Sequence, residues 1–316
     1  MHLLNAKEYL DRLIQAPRPG REKFLACFDA RVDAICTDLS VLLIPLDDHI
    51  CHRGDGLFES ISYRQGRIFA LDAHMQRMQN GAAALSLAPP IPWEEMRERI
   101  LDVARAAGLQ EGDLRVFLSR GPGGFGVSPS ECPRAGLYIV ALKAKERPES
   151  LYAKGVSAFT SRIPPKQDYL ARIKNTNYLP NVFMAAEAEA KGKDIAVSFD
   201  EKGIMGEAAV ANIALVDRTG RFLCPEFTNI LPGTTLLAAM RLAAERMPVV
   251  QEPIRHEDIY SAREVLLLTS STLCVSVTEF DERKVGEMSH QGRPGPVALW
   301  LKEALFADLY AKGTPF

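Results

Sequence analysis

The sequence predicts an α+β fold in two halves, and three observations carry this. Short apolar runs that read as strands outnumber helical stretches, and several of these runs are joined by hairpin turns. The 316 residues, at roughly 150 residues per domain, suffice for about two domains. Hairpin connections argue against a doubly wound parallel sheet, whose strands would alternate with helices. No internal repeat or low-complexity tract is present.

The elements follow in chain order. Leu3, Leu4, Tyr9, Leu10, Leu13 and Ile14 recur at helical spacing, and the breaker-rich APRPGRE ends the run, so residues 1–33 read as a helical extension. From Ala34 the pattern changes to VLLIPL, LFESISY and RIFALD, the last two joined by the turn Arg64-Gln-Gly66, where a sheet begins. Asp72 is the expected N-cap of the helix through AHMQRMQNGAAALSL, whose Met75, Met78, Ala82 and Leu85 share a face. Arg77 lies beside that stripe, so its charge is aimed at the protein. Pro92 opens a second helix, closed by Gly108. The strands DLRVFLS and GLYIVAL complete a small domain over 34–142, and the charged, aperiodic KAKERPES, residues 143–150, is the expected linker.

The larger half, 151–316, opens with a strand around Gly155 to Thr160 and a helix from about Tyr178 to Ala190, ended by Gly192. The strands IAVSF, AVANIALVD, RFLCP and EVLLLTS follow, with the hairpin turn Asp217-Arg-Thr-Gly220 between two of them. One helix starts after LPGTT and another is PVALWLKEALFADLY.

Composition narrows the function. Hydrophobic residues make up 47%, charged residues 25%, and 38 basic against 40 acidic residues leave a net charge of -2, which excludes a nucleic-acid-sized basic field and disorder. The six cysteines are scattered without CxxC spacing or clustered histidines, so no metal site and no disulfide framework is expected. Lys7, Glu8, Asp11 and Arg12 break any signal-like apolar stretch, and no run reaches the roughly 18 residues of a membrane span. The expectation is a cytoplasmic protein without nucleic-acid or membrane partners.

RGPGGFG lacks the lysine ending of a phosphate loop, and HExxH, GxSxG and EF-hand patterns are missing. Acidic pairs such as Asp47-Asp48 read as solvated faces or caps. Three features of the second half carry more. Lys174 stands just before a helix, beside the aromatic Tyr178; a lysine partly stripped of water can act as a nucleophile toward an aldehyde, although a solitary lysine is more often a surface group. Glu207 is inserted among Met205, Ala208, Ala209 and Val210 and needs a partner there, which a protonated ring nitrogen would satisfy. LPGTT offers two hydroxyls at a helix start, where free N–H groups favour an anion; an ordinary cap is the plain alternative.

In this order, these residues resemble the class IV aminotransferase family of fold-type IV pyridoxal-phosphate enzymes, from about Asp47 to about Leu305. HRGDGLFES is similar to the family's GDGxFE segment, HMQRMQNGAAAL to its HxxRLxxSA helix and IKNTNYLPN to its lysine segment. GIMGEAAVANIALV is similar to the ExxxxN segment, LPGTT to the LPGxTR loop with Leu236 in place of its arginine, and PGPVALWLKEAL to the closing helix. The resemblance implies a small α/β N-terminal domain and a larger pseudo-barrel C-terminal domain, with pyridoxal phosphate as cofactor. It implies that Lys174 anchors the cofactor covalently and moves the proton between substrate and cofactor. Glu207 would pair with the pyridinium nitrogen, Tyr178 with the ring oxygen, and Arg77, Thr234, Thr235 and Ser271, or its neighbour Ser270, with the phosphate. Arg115, set in a strand, would meet the substrate carboxylate or be salt-bridged within the sheet. Phe58 and Thr272 fall on the substrate side, and His52 and Arg53 would line the pocket of a neighbouring subunit in a homodimer whose active site lies at the interface. The glycines of RGDG and RGPGG would bring backbone close to a ligand.

The segment DDHxxHRGxG, together with LSRGPGGFGVSPSEC and NVFMAAEAEAKG, is most similar to the branch holding plant-type D-amino acid transaminases and aminodeoxychorismate lyases. Glu59 stands where bacterial-type lyases have threonine, and Phe125 where they have arginine. The expected activity is ping-pong transfer of an amino group between a D-amino acid or branched-chain L-amino acid and a 2-oxo acid. The alternative is 4-amino-4-deoxychorismate lyase, producing 4-aminobenzoate and pyruvate.

Overall fold

The computed structural model describes residues 2–316, apart from the side chain of Leu39. Its chain divides into two compact units, residues 1–145 with 314–316 and residues 146–313.

The first unit opens with α1 (Ala6–Gln15), started by a capping box in which Asn5 and Glu8 each accept the other's backbone N–H at 3.0 Å. An antiparallel sheet follows, built from β1 (Phe24–Asp29), β2 (Ala34–Cys36), β3 (Gly56–Arg64), β4 (Arg67–Ile68), β5 (Gly112–Ser119) and β6 (Gly136–Lys143). Its order is the C-terminal strand Thr314–Pro315, then β4, β3, β5, β6, β1 and β2. The β3–β4 hairpin turns through Gln65 at φ 51° and Gly66 at φ 71°, the two left-handed residues that a two-residue hairpin of this twist requires. A short α2 (His49–His52) precedes β3. The helices α3 (Leu71–Ala84) and α4 (Trp93–Ala106) bury Met75, Met78 and Ala82, and Met96, Ile100 and Val103.

Three expectations are corrected here. The sheet starts at Phe24, ten residues before Ala34, because FLACFD pairs along its length with β6, a partner distant in sequence. Residues 1–33 are therefore not helical throughout. Asp72 does not cap α3: Ala70 takes a left-handed turn (φ 51°) and the helix starts at Leu71, leaving the Asp72 carboxylate 3.2 Å from Arg97. The chain end returns to the first unit, with the Phe316 ring edge-on to Tyr63, its centroid 5.1 Å away.

The second unit contains α5 (Glu149–Lys154), β7 (Val156–Thr160), α6 (Asp168–Ala171), α7 (Leu179–Lys191), β8 (Ile195–Phe199), β9 (Met205–Ala208), β10 (Asn212–Val216) and β11 (Phe222–Cys224). It continues with α8 (Thr234–Ala243), β12 (Val249–Gln251), α9 (His256–Ser261), β13 (Glu264–Thr269), β14 (Leu273–Phe280), β15 (Arg283–Lys284) and α10 (Pro296–Ala311). Its mixed sheet runs β12, β11, β10, β13, β14, β7, β8, β9, with β15 beside β14. The inward residues Val197, Ile213, Leu215, Leu267, Val275 and Phe280 form one core. α10 begins where the Glu264 carboxylate accepts the Val297 and Ala298 N–H groups at 2.8 Å, a cap supplied from β13. The segment expected as the interdomain linker ends in α5, which starts at Glu149 directly after Pro148. Among the described residues no helix is long and apolar enough to cross a membrane.

Candidate active site

Within the second unit, Lys174 lies in the tight segment between α6 and α7. Asn175, 2% exposed, ties that segment: its Nδ2 donates to the carbonyls of Leu170 (3.1 Å) and Ile173 (3.0 Å), and its Oδ1 accepts the Asn177 N–H (3.0 Å). So held, Lys174 Nζ donates to the Tyr178 hydroxyl at 3.3 Å. Lys166 covers the face of the same ring, with Nζ 4.2 Å from its centroid. Burial pushes the Lys166 pKa down, opposed by the nearby Glu207 carboxylate. The start of α7 is fastened to the sheet by Asn181, whose Nδ2 donates to Ala209 O at 2.5 Å, just beyond the strand that carries Glu207.

Glu207 on β9 accepts the Leu231 N–H through Oε2 at 3.2 Å, which ties the LPGTT segment to this strand. Asn212, the first residue of β10, fixes the same segment by donating to Leu231 O at 2.9 Å. A side chain on Gly233 would put a Cβ 2.0 Å from Asn212 Oδ1, so only glycine lets the loop come this close. Thr234 and Thr235 then open α8, both buried, at the end of the helix where the dipole favours an anion.

Asn212 pairs in register with Leu268, so the start of β10 and the end of β13 share one sheet end. There the chain turns from β13 to β14 through Ser270, Ser271 and Thr272 and re-enters with Leu273 at φ 59°, a left-handed conformation that a bulky residue adopts under strain. Thr269 Oγ1 organises this turn, accepting the N–H groups of Ser271 (3.2 Å) and Thr272 (2.9 Å) and lying 2.7 Å from Thr272 Oγ1. Ser271 Oγ also accepts a hydrogen bond from Arg147 Nη2 at 2.8 Å. Ser270 does not join the hydroxyl cluster.

The expected residues of the first unit form their own groups. Arg77 on α3 grips Glu59 of β3 at two points, Nε to Oε1 at 2.8 Å and Nη2 to Oε2 at 2.6 Å, and His74 Nδ1 approaches the same Oε2 at 2.6 Å. Burial of Glu59 works against its charge, but the Arg77 and His74 partners outweigh it and hold its pKa down at about 2. Arg115 is not salt-bridged within the sheet: the adjacent Asp113 lies 3.9 Å from Arg64, and no carboxylate of the described residues comes within 4.0 Å of the Arg115 guanidinium. Burial lowers its pKa, with Asp113 acting in the opposite direction. Phe58 faces Phe117 across the strands, stacked with centroids 6.1 Å apart. Arg53 latches the glycine-rich loop, its guanidinium donating to the carbonyls of Phe125 and Gly126, while His52 lies against Phe125. Gly123, Gly124 and Gly126 of that loop close around Glu131, whose carboxylate accepts the Gly126 N–H at 3.0 Å, while Gly121 lies against the Arg134 carbonyl.

A family model described as amino-transferase class IV matches residues 56–280. The chain belongs to the class IV aminotransferase family. This aminotransferase is 33% identical over 297 residues to the chloroplastic D-amino-acid transaminase of Arabidopsis thaliana, covering 92% of this chain and 78% of that one. It is 30% identical over 268 residues to a putative branched-chain-amino-acid aminotransferase of Methanocaldococcus jannaschii, covering 84% and 90%. Among solved structures, a branched-chain amino acid aminotransferase of T.th. with pyridoxamine 5'-phosphate aligns with a TM-score of 0.85 at 25% identity, over 92% of this chain and 95% of that one. The fold is that of the fold-type IV aminotransferases, as expected, and the relatives' names support the transaminase reading rather than the lyase.

Sequence reasoning missed Glu59 as the partner of Arg77, Asn175, Asn212, Lys166 and Arg147. Asn212 stands in the quoted ExxxxN segment, which carried the signal. Arg147 had none, because it lies in a stretch whose composition reads as a linker.

Proposed function

We infer that this chain is a pyridoxal-phosphate-dependent aminotransferase that moves an amino group between a D-amino acid or branched-chain L-amino acid and a 2-oxo acid. The observation that carries the reading is the contact of Lys174 Nζ with the Tyr178 hydroxyl, at 3.3 Å, in the same unit as Glu207 and the start of α8 at Thr234. The donor set suits this cofactor: an amine for its aldehyde, a phenol for its ring oxygen, a carboxylate for its ring nitrogen, and N–H groups with hydroxyls for its phosphate.

When bound, the cofactor supplies an electron sink for the bond cleaved at the substrate Cα. Lys174 is assigned as the covalent anchor and as the base that carries the proton from Cα. Glu207, oriented by the Leu231 N–H, keeps a proton on the ring nitrogen, and Tyr178 orients the ring. Thr234, Thr235 and the turn holding Ser270 and Ser271 are assigned to the phosphate, with Arg77 kept in one orientation by Glu59. Arg115 is assigned to the substrate carboxylate, supported by the lack of a carboxylate partner in its own unit. Phe58 and Thr272 fall on the substrate side. The two units, residues 1–145 with 314–316 and residues 146–313, are taken as the working division of the two domains.

We assign it further to the cytoplasm and to a homodimer, with His52 and Arg53 at the interface. Exposed Leu179, Val182 and Phe183 on α7 support self-association, since apolar side chains grouped on one helix favour a covering partner.

The test is steady-state transamination with 2-oxoglutarate as acceptor and D-alanine or L-leucine as donor. Product formation with one donor series establishes the activity and its enantiomer together; no product from any donor while aminodeoxychorismate releases pyruvate would overturn it.

A further inference from the structure

Arg147 is a cation whose buried Nε–H is unmet. Its Nη2 donates to Ser271 Oγ, a neutral hydroxyl, at 2.8 Å, and its Nε is buried without a hydrogen-bond partner. No carboxylate of the described residues comes within 4.0 Å of its guanidinium. An arginine that loses water at Nε and gains only a hydroxyl is costly to hold, and an oxyanion is the partner that its planar fork of donors fits.

Its surroundings are built and not incidental. Pro148 follows it and α5 starts at once, from which the Tyr152 hydroxyl donates to Thr272 O at 3.2 Å. The arginine and the tyrosine thus tie one side of α5 to the same turn. Thr269 Oγ1 already accepts two backbone N–H groups there, so the hydroxyl protons of the cluster remain to be donated among themselves or to a ligand. The strained Leu273 holds the turn in shape.

We propose that Arg147 binds an oxyanion, a phosphate monoester or a carboxylate, at the Thr269–Thr272 turn. The site takes the cofactor phosphate or the carboxylate of the amino-acid substrate. That choice of ligand rests on the function proposed above, whereas the anion site itself rests on the geometry of Arg147. The side chain reaches the turn from the beginning of the second unit, just before α5.

The experiment compares the wild-type protein with Arg147→Met and Arg147→Lys, stripped of cofactor, by calorimetric titration with four probes: pyridoxal phosphate, pyridoxal, inorganic phosphate and 4-methylvalerate. If the ligand is the phosphate, Arg147→Met weakens pyridoxal phosphate and inorganic phosphate by about tenfold or more and leaves pyridoxal unchanged. If the ligand is the substrate carboxylate, 4-methylvalerate alone is weakened by that factor. Arg147→Lys, which keeps the charge and loses the fork, falls between. Affinities within about twofold of wild type for all four probes overturn the proposal and leave Arg147 as a strut of the turn. Should Arg147→Met fail to fold, Arg147→Gln keeps a donor for Ser271 and is read with the same probes. A wild-type protein that binds inorganic phosphate through Arg147 but takes up no pyridoxal phosphate would sink the proposed function and leave the anion site standing.

Discussion

Lys174 Nζ and the Tyr178 hydroxyl lie 3.3 Å apart, the lysine in the segment before α7 and the tyrosine at its N-cap. The lysine is held by the Asn175 network below it, and the phenol by the helix that it opens. If the phenol orients the cofactor ring, Tyr178→Phe should lower kcat by about tenfold, the value of one lost hydrogen bond in a partly desolvated site, and shift the visible band of the bound cofactor. Unchanged kcat and spectrum would restrict Tyr178 to packing.

Glu59 and Arg77 give a prediction on stability. The Glu59 pKa falls from 4.5 to about 2 on folding, so its charge stabilises the folded state above pH 4.5 and that contribution is lost as pH falls through 4.5 toward 2. Glu59→Gln should cost about 3 kcal/mol at neutral pH by leaving Arg77 without its buried partner, and the gap to wild type should close in acid. Denaturant melts at several pH values check this; a gap that stays constant across the acid range would mean that Glu59 is not ionised where it sits.

Arg115 is expected to act on binding. Arg115→Ala should raise KM for the amino donor by about tenfold or more while the affinity for pyridoxal phosphate holds. Kinetics with titrated cofactor decide it, and an unchanged KM for every carboxylate substrate would make the residue part of the sheet.

Gly233 and Asn212 are predicted to be coupled. Gly233→Ala should destabilise the protein by about 1–3 kcal/mol through the clash at Asn212 Oδ1, and adding Asn212→Ala should return part of that loss. Melting of the single and double variants measures the coupling; full additivity would mean that the loop moves aside.

What the sequence disclosed was set by local chemistry. The hairpin at Gln65 and Gly66, the Asp217–Gly220 turn and the helix end at Gly192 depend on residues within a few positions of one another, and all three were legible. The place of β1 was not, because FLACFD pairs along its length with the distant β6 and only through Cys27 to Asp29 with the neighbouring β2. Asp72 was misread for the opposite reason: a good capping residue was overruled by the left-handed turn at Ala70 one step earlier. In the candidate site, Lys174, Tyr178 and Glu207 were visible because each sits in a motif. Glu59 under Arg77 and Arg147 over Ser271 were hidden because their partners lie 18 and 124 positions away.

The most direct measurement is the visible absorption spectrum of the protein loaded with pyridoxal phosphate, wild type against Lys174→Ala, as D- and L-amino acids and then a 2-oxo acid are added. The wild type is expected to convert the bound cofactor to its pyridoxamine form with one amino-acid series and to return with the 2-oxo acid, while Lys174→Ala does neither at a comparable rate. A variant that interconverts the two forms as fast as the wild type, or a wild type that converts with no amino acid, would contradict amino transfer through Lys174.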